Sequence, residues 1–265
     1  MNDIGKPERV TQNRVIALFR DELKYRYLGD WVDRSDNSNI EEKVLSDYLT
    51  RAGYSLEQIS RTVYLLKTEA ENPNCSLYDN NKAVYSYLRY GVPVKIEAGK
   101  VTETVKLINW EQPEANDFAI AEEVTLRGNL ERRPDLVLYV NGIAIGVIEL
   151  KNSYVSIGDG IRQLLSNQQR EFNEWFFTTV QIVIAVYVAH ITAAHETVVV
   201  RHAWHGGLFA PITGDRFRGT RRASRRSRLP SISGTFFRAC RWCRIAGPRN
   251  RCPRKQFALS KKRPR

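Results

Sequence analysis

Three charged residues interrupt an otherwise apolar segment of the chain. Asp135 precedes the apolar run 136–140, and Glu149 and Lys151 end a second apolar run that begins at Ile143. Asn141-Gly142 separates the two runs, and this dipeptide is the strongest short-range signal for a β-hairpin. Both runs are apolar on both faces, which predicts a hairpin covered on two sides. Because burying an unpaired charge costs free energy, we expect these three residues to form a functional site.

The register of this hairpin decides whether the three charges meet. With a strict two-residue Asn141-Gly142 loop, Glu149 pairs with Pro134 and Asp135 points away. A three-residue loop or one bulge instead places Asp135 directly opposite Glu149, with about 5 Å between their Cβ atoms. Lys151 shares the face of Glu149 because the two are separated by one residue. We predict the shifted register.

Two carboxylates at that distance repel each other, and a divalent cation relieves the repulsion. Mg²⁺ binds one or two carboxylates and completes its shell with water and phosphate oxygens. An ammonium group beside it can orient water and stabilise charge on a phosphate. The trio therefore predicts a phosphodiesterase site with Asp135 and Glu149 as metal ligands. The alternative is a structural ion pair, since Glu-x-Lys also occurs at 22–24 and 41–43.

The net charge of +12 is concentrated at one end of the chain. From residue 186 onward there are 19 Lys and Arg but only two acidic residues, whereas residues 1–185 are acidic overall. This step predicts a boundary between a domain at 1–185 and an irregular basic tail at 186–265. The opening residues lack an apolar core of a signal peptide, and no apolar run is long enough to span a bilayer. We therefore expect a cytoplasmic protein that does not enter the membrane.

Apolar spacing predicts an α/β domain before this boundary. Helical periodicity appears at 14–23, 38–53, 56–66 and 158–177. Segments rich in β-branched and aromatic residues predict strands at 84–88, 92–94, 104–108, 118–126 and 181–185. Together with the hairpin, they predict a mixed sheet flanked by helices.

The chain resembles a known family. Pro134-Asp135 followed by Glu149-Leu150-Lys151 is similar to the signature of the PD-(D/E)XK nucleases, with their restriction-endonuclease-like core. The wider sequence, from about Ile4 to Ala185, resembles the N-terminal nuclease region of type I restriction enzyme R subunits. The matching segments are Thr11–Val15, Leu88–Val92, Ile108–Trp110, Asn116–Ala119, Arg133–Gly142, Gly160–Gln163, Asn167–Gln168 and Phe176–Gln181. The resemblance implies a Mg²⁺-dependent DNA endonuclease with Lys151 as the catalytic lysine.

The resemblance also implies residues that contact DNA. RecB-like relatives carry a Gln-x-x-x-Tyr motif on the helix after the core, and here Gln163 is followed four positions later by Asn167. Gln163 is thus a candidate DNA contact. Arg162 and Arg170 are candidate phosphate contacts, although both also fit a solvated helix face. Glu41 or Glu42 could supply a further carboxylate, but helix capping also explains them.

The family has parts that this sequence lacks. Its nuclease precedes an ATP-driven DNA translocase, and cleavage requires modification and specificity subunits as partners. No Gly-x-x-x-x-Gly-Lys-Ser/Thr loop occurs here, so the ATP-binding motor is absent from this sequence. We expect a truncated remnant whose residues 186–265 are read out of frame, and reading the other two frames past codon 185 tests this.

Other interpretations remain open. The tail could be a genuine basic arm that binds nucleic acid through counterion release, which would make the protein a non-catalytic binding protein. The core could instead be a stand-alone DNA-repair or junction nuclease, which would prefer branched DNA without ATP. Cys240, Cys243 and Cys252 lack a fourth nearby ligand, so zinc is disfavoured.

Overall fold

The protein is known from a computed structural model, which describes residues 6–96, 101–151, 157–187 and 201–203. The helices are α1 (Lys6–Ala17), α2 (Glu42–Arg51), α3 (Leu56–Ala70), α4 (Leu77–Tyr90), α5 (Ile157–Ser166) and α6 (Glu174–Phe177). The strands are β1 (Arg26–Asp30), β2 (Val92–Val94), β3 (Glu103–Val105), β4 (Phe118–Glu122), β5 (Leu136–Val140), β6 (Ile143–Lys151), β7 (Ile182–Tyr187) and β8 (Arg201–Ala203). A π-helical turn at Leu18–Glu22 extends α1, and a 3-10 turn lies at Pro113–Ala115. The α/β class is confirmed.

A mixed six-stranded sheet forms the centre, in the order β1-β4-β5-β6-β7-β8. The pairs β1–β4 and β6–β7 are parallel, and the other neighbours are antiparallel. Strands β2 and β3 form a separate two-stranded sheet. Strand β7 crosses the predicted boundary at residue 185, and β8 lies after it. The cysteines and most arginines of the predicted tail lie outside the described residues. The division into domain and tail stays a prediction.

Helices cover both faces of the central sheet. On one face, α1 and its π-helical turn pack on alternate residues of β4, β5 and β6. On the other face, α5 and α6 pack on the intervening residues, among them Val137, Val147 and Val183. Polar groups would have no water on either face of such a strand, which explains why β5 and most of β6 are apolar throughout. None of the described helices is long and apolar enough to span a membrane.

The predicted strand at 84–88 is wrong, because these residues belong to α4. The Ser76 hydroxyl caps the start of this helix by accepting a hydrogen bond from the Asp79 N–H, and Gly91 ends it at φ +88°. Val84 and Leu88 are four residues apart and both are buried, so their spacing is helical. The aromatic and β-branched composition was misleading since tertiary packing overrides β propensity. The predicted helix at 158–177 also differs, because it breaks between Ser166 and Glu174.

The hairpin of β5 and β6 has a tight turn followed by a bulge. Asn141 and Gly142 have φ values of +51° and +82°, as a two-residue type I′ turn requires. The first two pairs are Val140 with Ile143 and Tyr139 with Ala144, but Leu138 then pairs with Gly146, leaving Ile145 as an extra residue. The shifted register predicted from the sequence is confirmed, and one bulge produces it.

The Gly142 turn allows a close packing that a side chain would block. A Cβ on Gly142 would lie 2.8 Å from the Glu41 carbonyl oxygen and 2.9 Å from the Leu45 nitrogen. We expect Gly142→Ala to lower the free energy of unfolding by about 3 kcal/mol, because left-handed strain and this clash add. Gly53, at φ +89° with open space around it, is the matched control, and Gly53→Ala should cost only about 1 kcal/mol. Urea unfolding measures both, and equal losses would contradict the close packing.

Candidate functional site

The open end of the β5–β6 hairpin brings the predicted carboxylates together. Leu136 pairs with Ile148, and continuing this register by one residue places Asp135 opposite Glu149. The Leu150 N–H donates a hydrogen bond of 2.6 Å to Asp135 Oδ2. The half-buried Asp135 side chain therefore lies against the backbone that carries Glu149 and Lys151.

Glu149 is a buried carboxylate with an incomplete set of hydrogen bonds. Its side chain is 1% exposed, and Oε1 lies 3.4 Å from Lys151 Nζ. Glu149 Oε2 has no hydrogen-bond partner among the described residues. Leaving a charged oxygen buried without a partner costs more free energy than an ordinary hydrogen bond returns. Glu149 is therefore a strained element of the fold unless a further positive group approaches Oε2.

The electrostatics of Glu149 reflect this burial. Loss of solvation raises the pKa of the Glu149 carboxyl from 4.5 to about 8, and the nearby charge of Asp135 acts in the same direction. The Lys151 ammonium lowers the pKa but does not offset the other two causes. Below about pH 8 the protein alone thus keeps a proton on Glu149, because burial disfavours the charged form and the Asp135 charge would repel it.

Helix α5 holds the Lys151 side chain against the sheet. A Cβ on Gly160 would lie 3.1 Å from Lys151 Cγ and 3.5 Å from the Ala185 Cβ. The helix can approach this closely because residue 160 has no side chain. Lys151 is only 15% exposed, so its ammonium is restricted to the neighbourhood of Glu149. This contact could not be predicted from the sequence, since it joins residues from three elements.

The candidate DNA contacts on α5 and in the segment after it differ in their surroundings. Gln163 is half-buried and lies three residues after Gly160, so it shares the helix face that packs toward Lys151. Arg162 is exposed and paired with Asp159, and Arg170 is exposed and 3.3 Å from Glu174. Asn167, which follows Gln163 by four, is only 1% exposed and so is not presented to a ligand.

The expectation that Glu41 or Glu42 supplies a further carboxylate is wrong. Glu41 accepts hydrogen bonds from the Arg34 guanidinium, and its N–H donates to the Gly142 carbonyl. It therefore lies at the turn of the hairpin, at the opposite end from Asp135. Glu42 is paired with Lys67 on α3. The segment before α2 packs on the turn, which keeps both acids away from the other carboxylates.

A network beside Asp135 could not be inferred from the sequence. Glu122, at the end of β4, is 3% exposed and accepts hydrogen bonds from Arg9, Gln12 and Tyr27. Burial and the Glu122 carboxylate raise the pKa of the Tyr27 hydroxyl to about 12. A cleft of about 250 Å³ is lined by three members of this network, Arg9, Tyr27 and Glu122, and by Asn13, Ile16, Ala17 and Arg20. The adjacent acids Glu122-Glu123 were visible in the sequence, but not their partners.

Glu123 connects this network to the backbone of Asp135. Its N–H donates to the Asp135 carbonyl at 2.9 Å, and its carboxylate binds Gln12 and Arg133. Glu123 has φ +50°, a strained conformation for a residue with a side chain. Such strain persists only where several contacts enforce it. The network therefore supports the segment that carries Asp135.

Among the described residues, two carboxylates meet at the open end of the hairpin, those of Asp135 and Glu149. No group of three or more His, Cys, Asp or Glu side chains suited to a metal ion occurs within the described parts of the chain. A cation held there would complete its coordination with water or with a bound anion, as Mg²⁺ commonly does.

Comparisons with known proteins point to one family. A family model described as "Type I restriction enzyme R protein N terminus" matches residues 6–187. Among curated proteins, the chain is 33% identical over 102 residues to the MjaIXP endonuclease subunit of a type I restriction enzyme from Methanocaldococcus jannaschii. This match covers 36% of the chain and 10% of that relative.

A second relative from the same organism, named for the MjaVIIIP endonuclease subunit, is 34% identical over 74 residues, covering 27% of the chain and 7% of the relative. The chain thus matches a tenth or less of the length of these relatives. The family match, in contrast, spans most of the described residues. The chain belongs to the family of type I restriction enzyme R protein N-terminal domains.

Proposed function

We propose that Asp135, Glu149 and Lys151 form the active site of a Mg²⁺-dependent DNA endonuclease of the PD-(D/E)XK type. The observation that carries the proposal is the buried, unpartnered Oε2 of Glu149, directly beside Asp135 and Lys151. A purely structural ion pair would satisfy both oxygens of a buried carboxylate. Family membership supports the same chemistry, because the matched relatives are named as endonuclease subunits of restriction enzymes.

The residues present fit a divalent cation. Asp135 and Glu149 are hard oxygen donors on adjacent strands, and Mg²⁺ needs only one or two carboxylates from the protein. A cation held by these carboxylates would supply the missing partner of Glu149 Oε2 and oppose the two causes that raise the Glu149 pKa, burial and the Asp135 charge. When bound, it would polarise the phosphodiester and lower the pKa of the attacking water.

The protein's own groups would do the remaining work. Lys151 would direct its ammonium at the phosphate, where it stabilises the negative charge that builds up during attack. Helix α5 packs against the Lys151 side chain at Gly160, so little conformational freedom would be lost at that step. Gln163 would bind the DNA strand from the same face of α5. Arg162 and Arg170 would contact backbone phosphates by exchanging their present carboxylate partners for phosphate.

The biological role we propose follows the family. The chain would cleave DNA as the nuclease part of a restriction-modification R subunit, together with modification and specificity subunits. ATP would act only through a motor region. Because the chain matches a tenth or less of the length of its curated relatives, we expect slow cleavage by this chain alone.

The burial of Glu149 predicts an unusual pH dependence of stability. Because the folded pKa of about 8 lies above the ordinary value of 4.5, the stabilisation from protonated Glu149 is complete below pH 4.5 and is lost as the pH rises through 8. The Glu149→Gln variant has no carboxyl to ionise at this position, so it does not lose stability in this way. In metal-free protein, the free energy of unfolding of Glu149→Gln relative to wild type should therefore rise by about 2 kcal/mol or more between pH 5 and about 8.5.

Urea unfolding at the two pH values, with a chelator present, measures this effect. Glu57→Gln on the exposed face of α3 is the matched control and should show no such rise. A Glu149→Gln difference that is independent of pH would mean that Glu149 ionises normally in the fold.

The catalytic assignment predicts the loss of cleavage in three separate variants. Asp135→Ala, Glu149→Ala and Lys151→Ala should each lower Mg²⁺-dependent nicking of supercoiled plasmid about 100-fold or more, because each removes either a ligand of the cation or the ammonium that acts at the phosphate. Glu57→Ala should nick at the wild-type rate. If all three variants kept wild-type activity, the chemistry would have to lie elsewhere. Preference for branched DNA would instead favour a junction nuclease.

A further inference from the structure

We infer that the loop 127–131, at the tip of the β4–β5 connection, binds the DNA backbone beside the cleavage site. This inference rests on the proposed nuclease function and adds a binding surface to it. Three features of the loop carry the inference: the position of the loop, its rigidity and the groups that it presents to solvent.

The loop is the continuation of a ladder that passes through Asp135. Beyond the pair Glu122–Leu136, the Glu123 N–H donates to the Asp135 carbonyl and the Val124 N–H to the Pro134 carbonyl. Leu126 and Arg132 then close the ladder with two backbone hydrogen bonds of 2.7 and 3.1 Å. The register is the same throughout. The tip therefore extends past the open end of the sheet, beginning four residues, or about 13 Å along the chain, from Asp135.

The tip is held firmly on the segment that follows α5. Gly128 packs so closely that a Cβ there would overlap the Phe172 carbonyl oxygen. The Arg132 guanidinium lies 4.0 Å from the centroid of the Phe172 ring. Asn173 Nδ2 donates a hydrogen bond of 3.5 Å to the Leu130 carbonyl. A loop fixed in this way loses little conformational entropy when it binds a ligand.

The exposed groups of the tip suit a polyanion. Arg127, Arg132 and Arg133 lie in or beside the loop, against the single acid Glu131. Arg133 is paired with Glu123, whereas Arg127 is exposed and forms no ion pair with any described residue. A guanidinium can bind a phosphate through two parallel hydrogen bonds. Arg127 is thus free to contact a backbone phosphate.

The tip also carries an apolar group. Leu130 is 50% exposed and lies between Asn129 and Glu131. A two-stranded ribbon is narrow enough to enter a DNA groove, and proteins that do so often present apolar side chains to the bases. With Asp135 at its base and Arg127 and Leu130 at its tip, the ribbon would lie along the same duplex that the active site cleaves.

Crosslinking in the full chain tests this position directly. With the photoreactive p-benzoylphenylalanine in place of Leu130, irradiation with a 30-base-pair duplex should give a covalent protein–DNA product. The same amino acid in place of Tyr64, exposed on α3, is the control, since any contribution of the Arg-rich tail to DNA binding would be the same in both proteins. Equal crosslinking at both positions would overturn the inference.

Cleavage kinetics test the role of the arginine. Arg127→Ala should raise the KM for supercoiled plasmid about tenfold at an unchanged kcat, because it removes a charge-assisted contact with substrate away from the reacting atoms. Arg127→Lys should recover part of the loss. Arg51→Ala, an exposed arginine on α2, is the matched control and should behave as wild type. An Arg127→Ala variant indistinguishable from Arg51→Ala would overturn the role of Arg127.

The two proposals fail in different ways. Glu149→Gln should abolish nicking but leave the crosslink at position 130 unchanged. If wild-type protein shows no Mg²⁺-dependent nicking yet still crosslinks at 130 above the control, the nuclease proposal fails and the binding surface stands. If nicking depends on Glu149 but position 130 does not crosslink above the control, the nuclease proposal stands and the binding surface fails.

Discussion

A single extra residue in strand β6 determines which groups can meet at the open end of the sheet. Before the bulge Ala144 faces the cluster under α5 and α6, and after it Val147 faces the same cluster, so the alternation of faces shifts by one residue at Ile145. Glu149 and Lys151 inherit the face of Val147. Without the bulge both would face α1, and Asp135 would have Ile148 rather than Glu149 opposite to it.

This register forces a carboxylate into the interior with one oxygen unsatisfied. The surrounding fold tolerates it because the apolar ribbon is stabilised over the rest of its length by two layers of helices. Two of these helices also support the charged groups. Helix α5 packs on Lys151 at Gly160. Helix α1 is linked to Asp135 because Gln12 binds the Glu123 carboxylate and the Glu123 N–H donates to the Asp135 carbonyl. Strain of this kind at a functional site persists where the surrounding structure is stable enough to enforce it.

Local sequence signals were sufficient to predict the hairpin and the position of Asp135 opposite Glu149. Asn141-Gly142 predicts the turn, and the two apolar runs predict burial. One bulge was one of the two ways, with a three-residue loop, to align Asp135 with Glu149. The strand predicted at 84–88 failed because helical burial of Val84 and Leu88 outweighs composition. Gly160, Glu123 and the turn contact of Glu41 were beyond prediction, because each depends on elements that are distant in the chain.

The most direct test of the central claim is calorimetric titration of the metal-free full chain with Mn²⁺, a divalent ion that prefers the same oxygen ligands as Mg²⁺. If Asp135 and Glu149 form a metal site, the wild-type protein should bind one ion per chain at this site. Asp135→Asn and Glu149→Gln should each abolish that binding, whereas Glu57→Gln should leave it intact. Equal binding by all four proteins, or none by the wild type, would contradict the account.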